Sequence, residues 1–149
     1  MEIVASVSAI LAHKGTRVWS IAPDATVFEA LKLMAEKNIG ALPVMQGDRL
    51  VGILSERDYA RKIVLVGKSS RETQVAEILS RDLVVASPKS TVAECMRLMT
   101  EHRIRHLPVL DGEKVVGVVS IGDLVNWIIS TQSSVIEQLE SYITGQYPG

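Results

Sequence analysis

The sequence predicts a mixed α/β (α+β) fold of two βαββα units related by pseudo-two-fold symmetry. Each unit has a leading helix, and the C-terminal helix is extended. Three observations predict it. The chain repeats with a shift of 65 residues: Pro23 matches Pro88, Thr26 matches Thr91, Glu29 matches Glu94, Leu42-Pro43-Val44 matches Leu107-Pro108-Val109, and Gly52 through Asp58 matches Gly117 through Asp123. Within each copy, apolar residues switch between helical spacing and short β-type runs in the same order. A glycine-bearing turn, Gln46-Gly47-Asp48-Arg49 or Asp111-Gly112-Glu113, joins the last two runs of each copy as a hairpin does. A duplication this regular sets the folding unit before any single motif is read.

In chain order, Ile3, Val4, Val7, Ile10 and Leu11 lie at helical spacing, and Lys14-Gly15 closes that helix. Val18 to Ile21 reads as a short strand ended by Pro23. Thr26 with Glu29 is a capping box for a helix whose apolar face is Val27, Ala30, Leu31 and Met34. Two hairpin strands follow, and Ser55 opens a helix running to about Val66. Val75, Ile78 and Leu79 mark a short helix that echoes Val7, Ile10 and Leu11. The shift there is 68, because Ala12-His13-Lys14-Gly15 makes a longer turn. The second copy repeats the order: a strand Leu83 to Ala86, a helix capped by Thr91 and Glu94, a hairpin, and a last helix from Ser120. An apolar stripe from Ile128 to Ile143 continues past the point where the first copy stops. The expected division is residues 1–67 for the first unit with its leading helix, 68–130 for the second, and 131–149 for a helical extension that serves as a dimer contact.

One unit alone has a small sheet covered on one side, so the other copy is the nearest cover for the second face. A cleft at that seam would be lined twice by equivalent residues. The 149 residues are 47% hydrophobic, enough for a shared core, and the net charge of -1 gives no field favouring nucleic acid or an anionic membrane. The single Cys95 excludes an internal disulfide and suits a reducing compartment. No apolar run is long enough to span a bilayer, and Glu2, Ser6 and Ser8 do not fit a signal peptide. The expected location is the cytoplasm.

Strand, Thr-capped helix, Ile-x-x-Leu-Pro-Val, hairpin and Val-Gly-x-x-Ser-x-x-Asp, each present twice over residues 3–130, resemble a pair of cystathionine-β-synthase (CBS) domains, the Bateman module. The resemblance implies a regulatory, non-enzymatic protein that binds an adenosine ligand in clefts between the units. AMP is the first choice, with ADP, ATP, NAD or S-adenosylmethionine as alternatives. It further implies a homodimer and a regulated partner protein in trans. A ligand-independent dimerisation scaffold is the competing reading. An enzyme is disfavoured because no nucleophile–base pair, metal cluster or phosphate-binding glycine loop is evident.

Ser-x-x-Asp at a strand end has two physical uses. It caps a helix, and it places a carboxylate where a ribose diol can donate to it, beside amides that favour a phosphate. The resemblance carries ribose and phosphate contact to Ser55, Asp58, Ser120 and Asp123, with Arg57 as a further phosphate contact whose counterpart is Gly122. It places the residues before Leu-Pro-Val at the clefts: Arg105 and His106 in one, Gly40 and Ala41 in the other. Ser20, Ile21, Val85 and Ala86 sit at the first-strand ends, where the resemblance implies adenine packing and where they read equally as ordinary core. Trp19 either stacks on a base or pads the sheet edge. Cys95 reads as a small buried hydrophobe. His102-x-x-x-His106 does not read as a metal site, because the chain turns from helix to strand between the two.

Overall fold

The structure, a computed structural model, describes residues 5–15 and 17–131. In order the elements are α1 (Val7–Lys14), α2 (Val27–Lys37), β1 (Ala41–Gln46), β2 (Arg49–Ser55) and α3 (Glu56–Tyr59, continued by a π-helical turn, Ala60–Val64). Then come α4 (Val75–Ile78), α5 (Val92–His102), β3 (His106–Asp111), β4 (Lys114–Ser120) and a last helix, α6, over 121–131. The expected helical extension beyond residue 131, with Ile136, Leu139 and Ile143, lies outside the described residues.

The helix ends follow the sequence signals. Thr26 accepts the Glu29 amide at 3.1 Å without the return bond, whereas its counterpart pair, Thr91 and Glu94, closes both halves of the capping box. Helices α2 and α5 each end in a left-handed residue, Asn38 and Arg103, with φ 54°. In each hairpin the positive φ falls on the glycine alone, Gly47 (63°) or Gly112 (64°), the glycine-first pattern of a II′ turn.

The expected first strands, Val18 to Ile21 and Leu83 to Ala86, are reduced to one parallel rung each: Ile21 with Val44 and Ala86 with Val109. The prolines explain why. The rung is held by Ile21 N–H to Pro43 O (3.1 Å) and Met45 N–H to Ile21 O (2.9 Å). Extending it one way requires an N–H from Pro43, and the other way one from Pro23; neither residue has one. Pro108 and Pro88 block the second unit identically. Each sheet is therefore a two-stranded antiparallel hairpin, β1–β2 or β3–β4, with a single extra rung on β1 or β3.

There are two cores, and the leading helices are exchanged between them. Val7, Ile10 and Leu11 of α1 pack with Val92, Cys95, Met99, Leu107, Val109 and Val119 of the second unit. Val75, Ile78 and Leu79 of α4 pack with Val27, Ala30, Met34, Leu42, Val44 and Leu54 of the first. Gly52 and Gly117 make this docking close. A Cβ at Gly52 would strike the Leu79 side chain and stand 2.7 Å from the Ser80 carbonyl; one at Gly117 would stand 2.6 Å from a Leu11 methyl. The π turn after α3 is a local departure from the repeat. Tyr59 stands where Leu124 is fully buried in the second unit, and the wider turn instead brings Ile63 into the core at 2% exposure.

Candidate functional site

Two clefts cross the seam, each built from both units. In the first, β2 delivers Ser55 and the start of α3 delivers Arg57 and Asp58. The second unit contributes Arg103 and Arg105 from the turn between α5 and β3, and His106 from the first position of β3. In the second cleft, β4 delivers Ser120 and the start of α6 delivers Asp123. The first unit contributes Asn38 and Gly40 from the turn between α2 and β1, and Ala41 from the first position of β1. The turn and helix start are tied together in the same way on both sides: Glu56 N–H donates to Gly40 O at 3.0 Å and Ile121 N–H to Arg105 O at 2.9 Å.

The two Ser-x-x-Asp motifs cap their helices alike and then diverge. Asp58 Oδ2 accepts from Ser55 N–H (2.9 Å) and Ser55 Oγ (3.0 Å). Its Oδ1 accepts from Ser80 Oγ and forms an ion pair with Lys62 Nζ, both at 3.1 Å. Both oxygens of that carboxylate are thus engaged by the protein. Asp123 Oδ2 accepts from Ser120 N–H (2.9 Å) and Lys14 Nζ (2.7 Å), while Oδ1 has no partner among the described residues. Burial pushes the Asp123 carboxyl up, but the Lys14 and Ser120 hydrogen bonds and the Lys14 charge outweigh it and hold it below the usual aspartate value. Lys14 Nζ also donates to Val118 O at 2.9 Å. The corresponding carbonyl in the first unit, Ile53 O, accepts the Ser80 amide at 3.0 Å instead.

The clefts differ in size and charge. The first encloses about 510 Å³ and is lined by five cationic side chains (Arg57, Arg61, Lys62, Arg103, Arg105) against Glu56, Asp58 and Asp82. The second encloses about 250 Å³, with Lys14 and Arg17 as its cations and Trp19 on its wall. Arg17 and Lys37 lie against the Trp19 ring, at 4.7 and 4.1 Å from its centroid. Arg57 donates through Nη1 to the Arg103 carbonyl at 2.8 Å, so it ties α3 to the end of α5 while lining the cleft. His106 lines both clefts. Burial, then the Lys14 charge, lowers its pKa, Arg105 adds to this, and Asp123 opposes it; the imidazole is held neutral at pH 7.

Of the residues singled out from sequence, Ser55, Arg57, Asp58, Gly40, Arg105 and His106 line the first cleft. Ser120, Asp123, Gly40, Ala41 and His106 line the second. Ser20, Ile21, Val85 and Ala86 line neither. Ala86 is buried in the second core and Ile21 packs on the first, because these two residues make the single parallel rungs. Upstream of the rung the prolines prevent further pairing, and it is Val18, Trp19, Asp82 and Val84 that reach the clefts. Sequence reasoning missed Lys14 and Ser80. The longer turn after Leu11, where the repeat shift changes, was the signal for Lys14: the extra residues carry an ammonium to the place Ser80 fills in the other unit. Among the described residues no His, Cys, Asp and Glu cluster could hold a metal ion, and no helix is long and apolar enough to cross a membrane.

Comparison with known proteins agrees with this architecture. The CBS domain family matches residues 8–65 and 75–130. The chain is 40% identical over 138 residues to the mitochondrial CBS domain-containing protein CBSX3 of Arabidopsis thaliana; the match covers 89% of this chain and 66% of that protein. A solved protein with CBS domains from Burkholderia ambifaria MC40-6, proposed to act in signal transduction, is 49% identical with a TM-score of 0.82, covering 86% of this chain and 96% of that one. A hexameric CBS-CP12 protein from bloom-forming cyanobacteria is 31% identical with a TM-score of 0.74, covering 83% and 68%. With both halves of the duplication matched, the chain belongs to the CBS domain family and carries two CBS domains in tandem.

Proposed function

We propose that this protein is a regulatory module that binds an adenine nucleotide between its CBS domains and passes the event to a separate partner protein. One observation carries the reading: each cleft joins the Ser-x-x-Asp helix start of one domain to the turn before Leu-Pro-Val of the other. A ligand seated there touches both domains, so it favours one relative arrangement of them over others, which is what a sensor requires. The first cleft, at about 510 Å³, falls within the roughly 300–1,000 Å³ usual for small-molecule sites. Its five cationic side chains suit a phosphate chain. In the second cleft, the open Oδ1 of Asp123 suits a ribose hydroxyl, and Trp19 supplies an aromatic surface. AMP is the favoured ligand; ADP, ATP, NAD and S-adenosylmethionine share its adenosine. The role is regulation, not catalysis.

Thermal unfolding with AMP, ADP, ATP, NAD and S-adenosylmethionine at millimolar concentration tests this. A ligand present at 100 times its Kd should stabilise the protein by about 2.7 kcal/mol. No shift with any of the five would overturn the proposal. The second reading, a ligand-independent homodimer, is favoured by exposed apolar residues at equivalent places: Val64 after α3 and Ile129 on α6 are each 55% exposed, with Leu65 at 77% beside Val64. The hexamer reported for the CBS-CP12 relative supports this reading. A monomer by sedimentation at micromolar concentration would remove this second reading.

A further inference from the structure

We propose that His106 couples the two clefts, so that a nucleotide bound in one weakens binding in the other. This rests on the nucleotide reading for the identity of the ligand, but not for the geometry. Two residues line both clefts, Gly40 and His106, and Gly40 has no side chain. Among the described residues, the imidazole of His106 is therefore the one side chain the clefts share. The duplication does not repeat it: its counterpart is Ala41, and the counterpart of Gly40 is Arg105. The ring lies across the seam, with Nε2 and Cε1 at 3.2 and 3.3 Å from the point a Cβ on Gly40 would occupy. Its neighbours sit on both sides, Lys14 and Asp123 in the second cleft and Arg105 in the first.

Among the described residues the ring makes no hydrogen bond to the protein, and no buried polar side-chain atom lacks a partner, so its nitrogens are open to the clefts. A neutral imidazole offers one donor and one acceptor on a single rigid ring. Turning it towards a ligand on one side withdraws it from the other, and displacing it sterically pushes it into the opposite cleft. Both effects have the same sign. The second ligand binds without the contact the first has taken, or into a narrower space. The expected coupling is roughly three- to tenfold, the worth of one hydrogen bond.

Calorimetric titration of the full chain with AMP, and separately with ATP, tests this. Asp58→Asn and Asp123→Asn each weaken one cleft and give the constant of the other alone. If His106 couples the clefts, the wild-type isotherm shows a second step three- to tenfold weaker than the superposed single-cleft isotherms. In the His106→Ala background, or in His106→Asn if the alanine variant does not fold, the isotherms superpose. Superposition in the wild type, or coupling that persists without the imidazole, overturns the inference and leaves the nucleotide reading standing. Absence of any binding removes both.

Discussion

The two clefts derive from one 65-residue repeat and share the same hydrogen-bond frame, yet their chemistry differs. The first is roomy and cationic, and its aspartate is fully occupied by Ser55, Ser80 and Lys62. The second is half that size, and its aspartate keeps one oxygen open while Lys14 holds the other. The differences lie where the repeat is broken, among them Arg57 against Gly122, Arg105-His106 against Gly40-Ala41, Arg61-Lys62 against Asn126-Trp127, and Ser80 against Lys14. Duplication supplies the scaffold twice. The residues that depart from it decide what each copy can hold.

The glycines under the exchanged helices test this comparison most severely. A methyl at Gly52 meets both a side chain and the fixed Ser80 carbonyl, whereas one at Gly117 meets only the side chain of Leu11, which can turn away. Gly52→Ala is expected to cost about 3 kcal/mol and Gly117→Ala about 1 kcal/mol, read by urea unfolding. Equal losses would show that the two helices dock alike. The aspartates come next. Asp58→Ala removes a capping box and two further partners and should cost about 2–3 kcal/mol. Asp123→Ala removes a cap and a partly exposed ion pair and should cost about 1 kcal/mol. The reverse order would contradict the assignment of the more open carboxylate to the second cleft.

Acid should separate the two residues at the second cleft. His106 and Asp123 both have folded pKa values below their ordinary ones, so each contributes stability that is present above the unfolded value and lost as pH falls. The free energy of unfolding should decline from about pH 6.5 downward through His106, and again from about pH 4 through Asp123. His106→Gln should flatten the first decline and leave the second; an unchanged profile would exclude the buried neutral imidazole. The smallest effect concerns the left-handed helix ends. Arg103→Gly should raise stability by about 0.5–1 kcal/mol, and Asn38→Gly by less, because asparagine already tolerates that conformation. A loss on Arg103→Gly would mean that the side chain itself supports the seam.

Most of the architecture was legible because local chemistry specified it. The hairpins follow from Gly47 and Gly112, the helix starts from Thr26, Ser55, Thr91 and Ser120, and the repeat from the 65-residue shift. Ser55, Asp58, Ser120 and Asp123 were legible as helix starts from the residues themselves, and as cleft residues through the family resemblance. Ser20, Ile21, Val85 and Ala86 fall outside both clefts, Ile21 and Ala86 taking the core reading, for a reason that is only partly local. Their pairing depends on which partner amides exist, and Pro43 and Pro108 sit more than 20 residues away.

The unit, its duplication and the positions of the paired carboxylates could be read from the chain alone, since these rest on periodicity and capping that act over a few residues. Only the tertiary structure decided that α1 covers the second unit and α4 the first. An apolar helix face states that it must be covered, not by what. The same holds for Lys14 on Asp123 and for His106 over Gly40: each joins residues 66 or more positions apart, and the folded chain alone brings them within reach.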